Sequence, residues 1–165
     1  MRKKRVLILV SSDSGYRKER EDLSGPVIRD IMEEQGYEVV DIRILPDEQK
    51  MLEAQMAQAA DRGEAELILT TGGTGFSPRD CMPEATKAIC QREVPGIPEA
   101  MRAYSLQFTG RAMLSRAAAG IRNMTLIVNL PGSPKAVREC LEYIVPHLGH
   151  GIEILTGETG NCARK

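Results

Sequence analysis

The run Arg5-Val6-Leu7-Ile8-Leu9-Val10 constrains the fold more than any other part of this chain. A strand with one wet face alternates apolar and polar residues. A short unbroken apolar run instead reads as a strand covered on both faces, which calls for helices on both sides of a sheet. The chain supplies them in alternation. The polar stretch from Ser11 to Glu21 reads as a loop. Ser24-Gly25-Pro26 opens a helix with Ser24 as its N-cap, Val27, Ile28, Ile31 and Met32 keep helical spacing, and Gly36 ends it. Tyr37 to Leu45 alternates and reads as an edge strand. Pro46-Asp47 begins a second helix carrying Met51, Leu52, Met56, Ala59 and Ala60, and Leu67-Ile68-Leu69 is the third strand. Helical patterns cover 83–92 and 97–107, and Met124 to Leu130 is the fourth strand. Pro134 to Leu155 reads as helix interrupted around Pro146 and Gly149. Strands alternating with helices predict an α/β fold of three layers, with a mostly parallel central sheet flanked by helices.

At 165 residues one domain is expected, spanning 1–156, with 157–165 as a flexible tail. A net charge of −1 gives no general attraction to nucleic acid or to an anionic membrane. Met1 to Arg5 is basic, but the apolar run after it is too short for a signal or membrane-spanning segment. Cys81, Cys90, Cys140 and Cys162 are widely spaced without a CxxC pair, which predicts reduced thiols and a cytoplasmic protein. His147 and His150 lack a further ligand at metal-binding spacing.

In an open parallel sheet, ligands bind beyond the carboxyl ends of the strands, so the loops following the strands matter most. The third strand leads into Thr70-Thr71-Gly72-Gly73-Thr74-Gly75-Phe76-Ser77-Pro78-Arg79-Asp80, then into a helix at Pro83. Glycines there let backbone N–H groups approach an anion, and Asp80 sets a carboxylate beside it. The first strand leads to Ser11-Ser12-Asp13, the second to Pro46-Asp47-Glu48, and the fourth to Asn129-Leu130-Pro131-Gly132-Ser133-Pro134. The loop is neither a Walker A motif nor a G-x-G-x-x-G fingerprint, and no nucleophile elbow is present. Two roles stay open for each aspartate: Asp47 and Asp80 could cap the helices that follow them, or hold a metal ion at a phosphate. Anion-binding amides and carboxylates without a covalent nucleophile suit phosphoryl or nucleotidyl transfer.

These segments together resemble the MogA/MoaB family of molybdenum-cofactor biosynthesis. The resemblance is carried by Thr71 to Gly75, Pro78-Arg79-Asp80, Pro83 to Thr86, Arg92 to Gly96, Ala112 to Arg116 and Asn129 to Pro134, with Ser24-Gly25-Pro26 and Leu45 to Glu48. It implies a molybdopterin-binding α/β fold, a homotrimer or hexamer, and molybdopterin adenylyltransferase activity with ATP and Mg²⁺, handing product to a molybdate-insertion enzyme. It implies that Asp47 and Asp80 are catalytic and metal-binding. It places Ser12, Asp13, Gly72, Gly73, Thr74, Gly75, Ser115, Asn129, Pro131, Gly132, Ser133 and Pro134 at the substrate and nucleotide sites. A MoaB-type member that binds molybdopterin without turnover is the alternative. Cys81-Met82 stands where the family often has Val-Thr, which predicts a lost helix cap.

Overall fold

The computed structural model describes residues 2–158. Its strands are β1 (Arg5–Ser11), β2 (Glu38–Leu45), β3 (Leu67–Thr71), β4 (Arg92–Glu93), β5 (Ala119–Arg122) and β6 (Thr125–Leu130). They form one sheet in the order β2-β1-β3-β6-β5-β4. β2, β1, β3 and β6 are parallel, while β5 and β4 run antiparallel at one edge. The helices are α1 (Asp13–Tyr16), α2 (Ser24–Glu34), α3 (Gln49–Asp61), α4 (Met82–Ile89), α5 (Gly96–Ser105) and α6 (Pro134–Thr156).

The continuous apolar strands behave as their sequence predicts. Val6, Ile8, Val10, Leu67, Leu69, Leu126 and Val128 face one side, packed with Ile28, Met32, Val137, Leu141 and Ile144 of α2 and α6. Leu7, Leu9, Ile68 and Ile127 face the other, against Leu52, Met56, Met82 and Ala85 of α3 and α4. Burying a leucine-sized side chain in this way contributes about 1.5–3 kcal/mol. β2 has one neighbour and so occupies the edge its alternation implies.

Four readings need correction. Ser11–Glu21 is not all loop, since its start winds into the single turn of α1, capped by Ser12. Ser24 is not the N-cap of α2: it is the first helical residue, and Asp22 Oδ1 accepts from the N–H groups of Ser24 and Gly25 at 3.0 and 3.1 Å. The pattern read over 83–92 ends as helix at Ile89, and its last residues turn into β4. α6 runs unbroken through Pro146 and Gly149. Pro146 lies on the exposed face, where water can satisfy the carbonyl it leaves unpaired, while Leu141, Ile144, Val145, Leu148 and Ile152 hold the buried stripe. The expected 157–165 tail lies outside the described residues after Glu158.

Candidate active site

The chain leaves β1 for an outer strand, β2, and returns to β1's other side as β3. The switch point therefore lies between the carboxyl ends of β1 and β3. Loops after β1, β2 and β3 meet there. Ser11 Oγ donates to Asp47 Oδ1 at 2.5 Å, and the Asp13 N–H donates to Asp47 Oδ2 at 3.0 Å. The Asp47 N–H returns the bond to Asp13 Oδ1 at 3.0 Å. Arg79, from the loop after β3, forks onto Asp13 with Nε to Oδ2 and Nη2 to Oδ1, both 3.0 Å. The Arg79 hydrogen bonds, and then the Asp47 N–H, hold the Asp13 carboxyl below the ordinary carboxylate range.

Neither aspartate caps a helix. The cap positions of α3 and α4 are Glu48 and Cys81, and neither makes a side-chain cap bond. Asp80 instead turns back on its own loop, its Oδ2 accepting from the Ser77 N–H at 3.1 Å. Met82, at the position where the family often has threonine, is the first residue of α4 rather than its cap, and it is fully buried against Leu52, Met56 and Ala85. Burial pushes the Cys81 thiol up, the charges of Asp47, Glu84 and Asp80 push it further, and Arg79 opposes them.

The glycine loop is built to present amides. Gly72 and Gly73 have φ of 88° and 72°, in the left-handed region that side chains disfavour. A Cβ on Gly72 would also collide with the Ser11 carbonyl oxygen. Every carbonyl from Gly73 to Gly75 is occupied on the protein side. The Met82 N–H donates to Gly73 O at 3.1 Å, the Arg116 N–H to Thr74 O at 2.9 Å, and Arg116 Nε to Gly75 O at 2.7 Å. Among the described residues no acceptor takes the N–H groups of Gly73, Thr74 or Gly75. Three amides free to donate, with their carbonyls tied back, form an anion-binding nest.

The loop separates two cavities. The smaller, about 360 Å³, is lined by Ser12, Gly72, Gly132, Ser133 and Pro134, with Asp22 and Ser24 of α2's entry. The larger, about 430 Å³, has Thr74, Gly75, Pro131 and Ser115 on its wall, with apolar Pro98, Met101 and Leu114 and the guanidinium groups of Arg102 and Arg111. Ser12 and Ser133 also cap α1 and α6, accepting from Gly15 and Ala136 N–H groups.

Asn129 lines neither cavity, and Asp13, Asp47, Gly73 and Asp80 are likewise outside both linings; Asn129 lies fully buried in β6, beneath the loops. Its Oδ1 accepts from the Ala118 N–H at 3.1 Å, and its Nδ2 donates to Thr70 and Thr86 hydroxyls at 3.0 and 2.8 Å. It fastens β6 to β3, α4 and the segment before β5. Arg79 and Arg116 are the site residues to which sequence reading gave no role. Both stood inside quoted motifs, but only their long-range partners reveal what they do.

No group of three or more His, Cys, Asp or Glu able to hold a metal occurs among the described residues. Mg²⁺ commonly takes one or two carboxylates and completes its shell with water and substrate phosphates, and Asp47 and Asp80 supply that number.

A doubly wound sheet, with an amide nest and carboxylates at its switch point and a cavity on either side, defines a binding protein for phosphorylated ligands. The family model described as "Probable molybdopterin binding domain" matches residues 7–150, and the chain belongs to that family. Molybdopterin adenylyltransferase of Helicobacter pylori strain J99 is 41% identical over 152 residues, covering 91% of this chain and 86% of that protein. The crystal structure of the molybdopterin biosynthesis enzyme MoaB from Thermus thermophilus superposes with a TM-score of 0.88 at 47% identity, covering 93% of this chain and 97% of that one. The molybdopterin biosynthesis Mog protein of Mycobacterium ulcerans gives 0.85 at 30% identity, covering 95% and 99%.

Proposed function

We propose that this chain is a molybdopterin adenylyltransferase, transferring AMP from ATP to the phosphate of molybdopterin with release of pyrophosphate. The observation that carries the reading is the amide nest of Gly73 to Gly75, in a loop whose Gly72 lines the smaller cavity and whose Thr74 and Gly75 line the larger, with the charges of Asp47 and Asp80 both acting on the neighbouring Cys81 thiol. The relatives named for this activity support the same reaction.

In this reading the larger cavity receives the pterin and the smaller one the nucleotide, so their phosphates meet over the glycine loop. An oxygen of the pterin phosphate attacks the α-phosphorus of ATP. The new P–O bond forms as the bond to the β-phosphate oxygen breaks, and pyrophosphate carries the electron pair away. No general base is required, because a phosphate monoester is already ionised at neutral pH. The nest amides donate to oxygens that gain charge, a contribution of about 3–4 kcal/mol per well-placed donor. Mg²⁺ entering with ATP would be held by Asp47 and Asp80, and would neutralise phosphate charge. Ser11 and the Asp13 N–H fix the Asp47 carboxylate, and Arg79 fixes Asp13. Homotrimeric assembly, cytoplasmic location and transfer of product to a molybdate-insertion enzyme belong to the same reading. The fold itself contains no helix, among the described residues, long and apolar enough to cross a membrane.

The test is a purified assay with molybdopterin, ATP and Mg²⁺, scored for adenylylated product and pyrophosphate. Tight molybdopterin binding with no ATP-dependent product would replace the enzyme by a MoaB-type binding protein, a reading favoured by the 47% identity to a MoaB structure.

A further inference from the structure

We infer that Arg116 is the positioning residue of the active loop: its backbone N–H sets the direction of the Gly75 amide, and its guanidinium sets that of the Phe76 amide at the end of the nest together with the place of Asp80. The inference rests on the adenylyltransferase reading.

Arg116 follows a short 3-10 turn, Gly110–Leu114, and precedes β5, so it reaches the loop after β3 from another part of the chain. Its backbone N–H donates to Thr74 O at 2.9 Å. Its Nε donates to Gly75 O at 2.7 Å, and its Nη2 donates to Asp80 O at 3.0 Å. Its Nη1 pairs with the Glu84 carboxylate in the first turn of α4. Four bonds thus run from a single residue to both ends of the 74–84 segment.

This pattern has a chemical consequence. A peptide unit whose carbonyl is pulled one way offers the N–H of the next residue the other way. By drawing Thr74 O and Gly75 O to itself, Arg116 turns the Gly75 and Phe76 amides away from it, toward the ligand side. By holding Asp80 O, it fixes the backbone from which that carboxylate projects. Burial pushes the Glu84 carboxyl up, but the Arg116 hydrogen bond and charge outweigh this and hold it below its ordinary value. The ion pair therefore persists at neutral pH, and the guanidinium's charge is balanced locally. Its service to the loop is one of geometry. Lysine cannot reproduce it, because an ammonium is a point donor, whereas the planar fork spans three acceptors at fixed angles.

The experiment compares wild type with Arg116→Ala, Arg116→Lys and Glu84→Gln in the molybdopterin–ATP assay. Folding is monitored by thermal unfolding, and amide hydrogen exchange is followed over 72–81. Arg116→Ala is expected to lower kcat by about 10²-fold while the KM for molybdopterin changes by less than about threefold, since misplacing reacting groups costs turnover more than uniform binding. Arg116→Lys should recover less than a tenth of the loss, and millimolar guanidinium added to Arg116→Ala should restore part of it. Glu84→Gln should stay within about threefold of wild type, because the carbonyl bonds survive. Exchange over 72–81 should rise in Arg116→Ala and not in Glu84→Gln. A folded Arg116→Ala with wild-type kcat and exchange overturns the inference, and so does full recovery in Arg116→Lys. If wild type itself forms no product, the adenylyltransferase reading fails on its own. Unchanged exchange over 72–81 in Arg116→Ala would then overturn the clamp separately.

Discussion

A single methyl group at residue 72 tests how the site is built. Gly72 has φ of 88° and lies against the Ser11 carbonyl, so Gly72→Ala meets backbone strain and a clash at once. Strain alone costs of order 1–3 kcal/mol, and relief requires the loop to move away from β1. The expected outcome is a lower urea midpoint together with loss of turnover beyond about tenfold, read by unfolding and by product formation. The two aspartates separate in the same way. Asp80→Asn keeps an oxygen for the Ser77 N–H, so stability should hold while kcat falls by about 10²–10³-fold. Asp47→Asn cannot accept fully from both Ser11 and the Asp13 N–H, so it should lower kcat and also cost about 1–2 kcal/mol. Equal stability losses in the two variants would contradict this difference in bracing. That the loops after β1, β2 and β3 share one rim was legible in the sequence, because the carboxyl ends of parallel strands lie together. The bracing was not, since Ser11, Asp13 and Arg79 find their partners across 34 to 66 residues of chain.

Elements were legible where apolar residues ran on without a break, as in β1, β3 and β6, and where helical spacing lasted for two turns or more. They were hidden where a few residues are ordered only by distant partners. β4 is two residues long and β5 reads Ala119-Gly120-Ile121-Arg122, with little intrinsic strand preference. Their pairing is imposed by β6 and by a tight return at Asn123, whose φ is 51°. Pro146 misled in the opposite direction: proline chemistry forecasts a break, but an exposed proline on a long helix with a buried stripe bends to packing. Gly120 shows how close this edge is built. A Cβ there would stand 2.6 Å from Cys90 Sγ and 2.9 Å from the Arg92 carbonyl oxygen. Gly120→Ala should therefore displace β4 from β5, at a cost of about 1–3 kcal/mol for overpacking. Faster amide exchange at residues 90–94, with exchange in β1 unchanged, is the measurement that checks it.

At the scale of the whole molecule, the two ends of the sheet have different work. Ligand-facing loops crowd the carboxyl ends, while the opposite ends of β1 and β3 are tied by Glu66. That carboxylate is nearly buried and accepts from Arg5 N–H at 2.8 Å, from the Arg5 guanidinium at 2.5 Å and from Arg2 at 2.5 Å. Burial pushes the Glu66 carboxyl up. The Arg5 side-chain and backbone bonds, with the charges of Arg5 and Arg2, outweigh burial and leave it below its ordinary value. A depressed folded value contributes stability that is complete above the unfolded value, about 4.3 for glutamate, and is lost as pH falls through the folded value. Unfolding free energy should therefore stay level on this account from neutral pH down to about 5, then decline in acid. Glu66→Gln should cost about 1–3 kcal/mol at pH 7, because a charge-assisted network loses its acceptor, and its difference from wild type should shrink to near zero in strong acid. Since Glu66 lies at the far end of the strands from the glycine loop, the variant's KM values should match wild type at a temperature where both are folded. A Glu66→Gln protein with unchanged stability at neutral pH, or with altered KM, would show that the two ends of this sheet are not separate in function.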